Sequence, residues 1–139
     1  MLAPAGAQDV YVLPDGILQT RSHFPGGSLI VRGQPSLHPT RVLLTVRPSR
    51  RLDASPCQIK LYRDGAPVAV QESRRANDYE VLIALEVVAL RKLHDSVRFA
   101  GEACGRSFEL DAPSRATLSA FEARFVEERS KLESVADSR

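Results

Sequence analysis

The sequence predicts an α+β domain: a mostly antiparallel β-sheet or sandwich, built as a meander, with a short helix and a C-terminal amphipathic helix packed on it. Three observations carry this. Turn signals recur at short intervals through the first half of the 139-residue chain, at Asp15-Gly16, Gly26-Gly27, Gly33 before Pro35, His38-Pro39 and Asp64-Gly65. The runs between them, of roughly four to eight residues, are rich in Val, Ile, Leu and Thr, as antiparallel strands are. The last third carries an apolar stripe of helical period, Leu118, Phe121, Phe125 and Leu132.

Taken in order, strands are expected near residues 9–13, 17–24, 28–32, 41–47, 57–63 and 66–71. In "RVLLTVRPSRR", Val42, Leu44 and Val46 share one face and Leu43 and Thr45 the other, the pattern of a central strand covered on both sides. In "CQIKLYRDGAPVAV", Cys57, Ile59 and Leu61 form the inward set, Asp64-Gly65 makes a tight hairpin turn, and Pro67, which has no N–H to donate, places its strand at an edge. A polar stretch, residues 71–78, follows. Tyr79, Val81, Ile83 and Leu85 then alternate as a strand, and Val87, Leu90 and Leu93 recur every three residues as a short helix ending at His94; a single helix over residues 80–94 is the alternative. Val97 and Phe99 pair with Phe108 and Leu110 across a hairpin whose tip is residues 101–105. Asp111 is an N-cap and Pro113 lies in the first turn, where its missing donor costs nothing. Glu127 and Lys131 sit four apart on the wet face of the final helix.

These elements make one domain over residues 9–132, with residues 1–8 a flexible leader and residues 133–139 a frayed tail. The pattern of the last third, a short helix leading to "VRF", then "FEL" and an amphipathic helix, resembles parts of bacterial envelope proteins.

The net charge is +2, split as +5 over residues 1–75 and −3 over residues 76–139, and Arg outnumbers Lys 16 to 3. So small a net charge argues against a nucleic-acid partner, and no aromatic residues interleave with the arginines to stack bases. No apolar run reaches the length of a membrane span. As written, the chain carries no export signal, which predicts a cytoplasmic protein; a truncated or processed N-terminus would place it in the periplasm or cell envelope.

Catalytic signatures are sparse. "GEACGRS" departs from a phosphate-binding loop in its glycine spacing, in having Arg106 for Lys and in leading into a strand. No G-x-S-x-G elbow is present. His23, His38 and His94 lie far apart and no Cys or His pair has ligand spacing, so neither a metal nor another cofactor is expected. Cys57 and Cys104 form a candidate disulfide, and Cys104 is the one candidate nucleophile. The candidate binding residues are Arg47, Arg50, Arg51, Arg74 and Arg75, in loops that could converge at one end of the sheet to meet phosphate or an acidic protein surface.

The sequence is therefore read as a non-enzymatic bacterial binding or structural-interaction module that acts through sheet edges and this basic cluster, with a protein partner or self-association. A small enzyme centred on Cys104 and a weak nucleic-acid or phosphate binder using the arginines are the alternatives.

Overall fold

A computed structural model of the chain describes residues 10–36, 41–53 and 57–137. Ten strands form two antiparallel sheets. They are β1 (Tyr11–Val12), β2 (Leu18–Phe24), β3 (Gly27–Gly33), β4 (Val42–Pro48), β5 (Ile59–Arg63), β6 (Ala66–Pro67), β7 (Glu72–Arg75), β8 (Val81–Leu85), β9 (Phe99–Ala103) and β10 (Arg106–Leu110). Two 3-10 turns, Val87–Leu90 and Leu93–Asp95, join β8 to β9, and one helix, α1 (Ala112–Asp137), ends the described chain. The first sheet has the order β1-β2-β3-β4-β8-β7 and the second β10-β9-β5-β6. The α+β class expected from the sequence is the one observed.

Period-two alternation fixes which face of the first sheet is dry. Leu18 and Phe24 of β2, Leu29 and Val31 of β3, Val42, Leu44 and Val46 of β4, and Val81, Ile83 and Leu85 of β8 are all buried on one side. Leu61, Phe99, Phe108 and Leu110 of the second sheet, Leu118, Phe121 and Phe125 of α1, and Leu90 and Leu93 of the 3-10 turns complete one continuous core. Phe24 and Phe108 meet between the sheets, ring centroids 6.1 Å apart.

The start of α1 is fixed twice. Asp111 Oδ1 accepts the Ser114 N–H at 3.0 Å, the bond an N-cap makes to the third helical residue. The buried Ser114 and Ser22 hydroxyls lie 2.7 Å apart, tying the helix to β2. Two of the sharp hairpins turn on a pair of left-handed residues, Asp64-Gly65 with φ 50° and 83°, and Cys104-Gly105 with φ 47° and 83°. That geometry matches the twist of the flanking strands.

Several local expectations are corrected. The polar residues 72–75 are strand β7, held by its register with β8 and not by any apolar alternation of its own. The expected strand over residues 66–71 shortens to Ala66–Pro67, an edge as Pro67 requires. The expected short helix after Glu86 is present as two 3-10 turns separated by Lys92 at φ 63°, whereas the longer alternative over residues 80–94 does not form, since Val81–Leu85 is strand β8. Gly101 lies inside β9, opposite Phe108, and the hairpin tip is Cys104-Gly105 alone. Val97 is exposed, because Asp64 Oδ1 accepts the Val97 and Arg98 N–H groups and holds that segment at the surface. Cys57 is also exposed, ahead of β5, while Cys104 is buried. The expected leader lies outside the described residues.

The helix continues to Asp137, beyond Leu132 where a frayed tail was expected. Past Phe125 it leaves the core: Val126, Leu132 and Val135 are all exposed. Ion pairs along its own surface support it there, Arg124–Glu128 at 2.8 Å, Arg129–Glu133 at 3.2 Å and Lys131–Glu127 at 3.4 Å. The hydrogen bond from Arg124, with Lys131 nearby, holds the Glu128 carboxyl below its ordinary range.

Two outcomes follow from this packing. A Cβ at Gly101 would come within 2.5 Å of the Phe108 ring and 2.6 Å of the Lys60 carbonyl oxygen, which is backbone and cannot step aside. Gly101→Ala should therefore cost about 1–3 kcal/mol of unfolding free energy, measured by denaturant titration. A carboxyl with a lowered folded pKa stabilises above its unfolded pKa, and loses that contribution as the pH falls through the folded value. Helical ellipticity should thus decline as the pH drops below about 4, and Glu128→Gln should flatten part of that decline.

Candidate functional site

The five arginines singled out in the sequence do not act as one cluster. Arg47, Arg51 and Arg75 converge at the end of the first sheet that leads from β7 into β8, but they arrive with their counter-charges. Arg47 reaches Glu80 at 3.3 Å and stands over the Tyr79 ring at 5.6 Å. Asp78 takes both Arg51, at 2.7 Å, and Arg75, at 2.9 Å. Arg75 also donates to the Asp53 carbonyl at 2.6 Å, and Arg106 donates to the Arg51 carbonyl and pairs with Asp53. These guanidinia brace the loops. A phosphate arriving here would have to displace carboxylates already in place. Arg50 is exposed, with no ion pair among the described residues.

Arg74 belongs elsewhere, on the outer face of the first sheet. Register puts Gln19, Arg32, Leu43, Ala84 and Glu72 in one row across five strands, and Arg21, Ile30, Thr45, Leu82 and Arg74 in the next. The centre of this solvent-facing side is apolar. Ala84 is buried and Ile30, Leu43 and Leu82 are half-buried, although no other layer formed by the described residues covers them. They are shielded by the stems of the long residues around them. The result is an open groove of about 480 Å³, floored by Leu43, Leu82 and Ala84 and rimmed by Arg32, Arg41, Arg74 and Glu72. Arg32 is oriented by Gln19 at 2.6 Å, and Arg41 faces Glu72 at a loose 3.9 Å. Arg74 and Arg21 have no acidic partner among the described residues. Sequence reasoning found Arg74 but not its neighbours, because Arg32, Arg41 and Arg74 are brought together only by strand register.

The sheet edges are short. β1 and β6 have two residues each and β7 has four, so they present few free backbone groups for an added strand; β10, with five, is the longest edge.

Cys104 is bonded to Cys57, and among the described residues no cysteine is free. Its sulfur is buried and shared, so in this state there is no thiolate to attack a substrate. The bond joins the chain ahead of β5 to the turn between β9 and β10. Two backbone bonds of 3.0 Å act beside it, from the Cys104 N–H to the Gln58 carbonyl and from the Asp53 N–H to the Cys104 carbonyl.

One arrangement was invisible in the sequence. His94 Nδ1 lies 2.9 Å from Ser119 Oγ and His94 Nε2 lies 3.2 Å from Asp95 Oδ1, in the order of a hydrolytic triad. Ser119 sits inside α1, however, where the neighbouring N–H groups are spent on helical carbonyls and cannot hold an oxyanion. His94 and Asp95 are both open to solvent. The contact straps the second 3-10 turn to the helix, beside the Arg91–Glu122 pair at 3.3 Å. Among the described residues no three His, Cys, Asp or Glu side chains gather as a metal site.

No helix among the described residues is long and apolar enough to cross a membrane. No protein-family model, no curated protein and no solved structure matches the chain.

The disulfide closes a loop with a sequence separation of 47. Replacing both cysteines by Ala should lower the unfolding free energy by about 4 kcal/mol on the chain-entropy model. The same loss should appear when the wild-type protein is melted under reducing conditions.

Proposed function

We propose that the chain is a non-catalytic binding module whose working surface is the outer face of the six-stranded sheet, and that it receives an acidic, amphipathic segment of a protein. The observation that carries this reading is the groove itself: an apolar floor on a solvent-facing sheet, ringed by Arg32, Arg41 and Arg74. An apolar floor rewards burial of an aliphatic side chain, and a guanidinium fork pairs with carboxylates in two-point geometry. This moves the binding surface from the braced loop arginines Arg47, Arg51 and Arg75 to the sheet face, of which Arg74 is the shared member.

A protein segment fits better than a nucleic acid. The net charge is only +2, Arg47, Arg51 and Arg75 are already paired, and among the described residues no aromatic ring lines the groove. The Cys57–Cys104 bond supports an oxidising compartment, the periplasm or envelope, over the cytoplasm.

The test uses 1-anilinonaphthalene-8-sulfonate, a probe that joins an apolar ring system to one anion. It should fluoresce on the native protein with micromolar affinity, and Arg41→Glu with Arg74→Glu should weaken binding by about tenfold or more while leaving the melting curve in place. An unchanged titration in that double variant would remove the groove as the binding surface.

A further inference from the structure

We propose that the part of a partner protein read by the groove is its C-terminus, with the terminal carboxylate held by Arg32 and the last side chain, an aliphatic one, seated on the floor. This deepens the groove reading above and rests on it.

Arg32 is built as a carboxylate site. It is exposed on β3, and Gln19 faces it from β2. Gln19 is 8% exposed, and its Oε1 accepts the Arg32 Nε–H at 2.6 Å. A buried acceptor on one edge fixes the guanidinium plane, which lowers the ordering cost of binding. The two Nη groups have no partner among the described residues, and they form the end-on pair of donors that a carboxylate accepts at two points. The other rim arginines differ. Arg41 leans on Glu72 at 3.9 Å, and Arg74 has neither an orienting bond nor an acid among the described residues. Arg32 is thus the oriented anchor, with Arg74 left to attract acidic residues upstream of the terminus.

Two features select a chain end over an internal acidic residue. The first is spacing. Arg32, Leu43 and Ala84 are consecutive in one cross-strand row, each about 5 Å from the next. The carboxylate and the aliphatic group must therefore arrive close together and on the same side. A C-terminal residue carries both on one Cα. In an extended internal segment an acid and its immediate neighbour point to opposite sides, and the next residue on the same side is about 7 Å away. The second feature is the backbone. β3, β4 and β8 are interior strands whose N–H and C=O groups are engaged by neighbouring strands. Such a face offers no main-chain partner, so an extended segment pressed onto it strips water from amides that nothing receives. A chain end buries the fewest amides, and its charge is met by Arg32. The groove, at about 480 Å³, lies within the size range of sites that take small ligands.

The experiment is calorimetric titration of the full chain with acetyl-Ser-Glu-Glu-Ser-Leu, supplied as the free acid and as the C-terminal amide, which differ only in the terminal charge. The acid should bind with a dissociation constant on the order of 50 µM, and the amide about tenfold more weakly or worse. Arg32→Gln, at an exposed position, should bring the acid down to the affinity of the amide with the melting curve unchanged. Gln19→Glu, isosteric and able to pair with Arg32 itself, should bring the acid-to-amide ratio close to unity, an effect that lost packing does not produce. Arg74→Gln should weaken acid and amide alike and keep the ratio. An amide that binds as tightly as the acid overturns the proposal and hands the groove to an internal segment. So does a ratio that survives Arg32→Gln, or failure of both peptides up to about 1 mM on a protein whose dye titration behaves as described above. A dye titration indifferent to Arg41→Glu with Arg74→Glu removes the groove itself, and the chain-end reading with it.

Discussion

A six-stranded antiparallel sheet with one largely apolar face cannot stand alone in water, and the rest of this molecule follows from covering that face. The second sheet covers part of it through Phe108 on Phe24, and α1 covers the remainder with Leu118, Phe121 and Phe125. The helix can do so only if it begins in the right place. Asp111 and the buried Ser114–Ser22 contact set that place. Gly33 then lets the Phe125 ring approach the sheet closely. Once the inner face is closed, the outer face is left to solvent, and its apolar centre is what any surface function has to reckon with.

The arginine content divides by the same geometry. Where loops meet at one end of the sheet, guanidinia find Asp53, Asp78 and Glu80 and serve as braces. Exposed ion pairs of this kind contribute little to stability singly. Here they order a junction at which β4, β7, β8 and the turn after β9 come together. On the open face the strands carry Arg21, Arg32 and Arg74 with few carboxylates opposite, so charge remains to be satisfied from outside. One residue type thus does two jobs, and the acidic residues nearby decide which.

How far the sequence could be read varied with how local the signal was. The hairpin turn at Asp64-Gly65, the N-cap at Asp111 and the strands β2, β3, β4 and β8 were all legible, because alternation, turn chemistry and capping act over a few residues; the β9–β10 hairpin was legible too, but with its tip drawn too wide, at residues 101–105. β7 was not, since "ESRR" has no apolar alternation and becomes a strand only by pairing with β8. The short helix after Glu86 was legible as well, its spacing of three being that of the 3-10 turns observed, and only the break at Lys92 was not. Of the candidate site, Arg74 was legible by type alone. Arg32 and Arg41 were not, because they lie on other strands and reach the same groove through register.

The sequence by itself determined the class of fold, the position of most strands, the start of the final helix and its buried stripe. Each rests on local conformational preference or on a simple period. Tertiary structure decided everything that depends on residues distant in the chain: the union of Cys57 with Cys104, the braced state of Arg47, Arg51 and Arg75, and the His94–Ser119 strap. It also decided that the apolar stripe of α1 runs out beyond its support while an arginine-rimmed floor stays open on the opposite face. Burial and ion pairing are settled by what lies alongside in space, and strand register, which no single segment specifies, sets those neighbours.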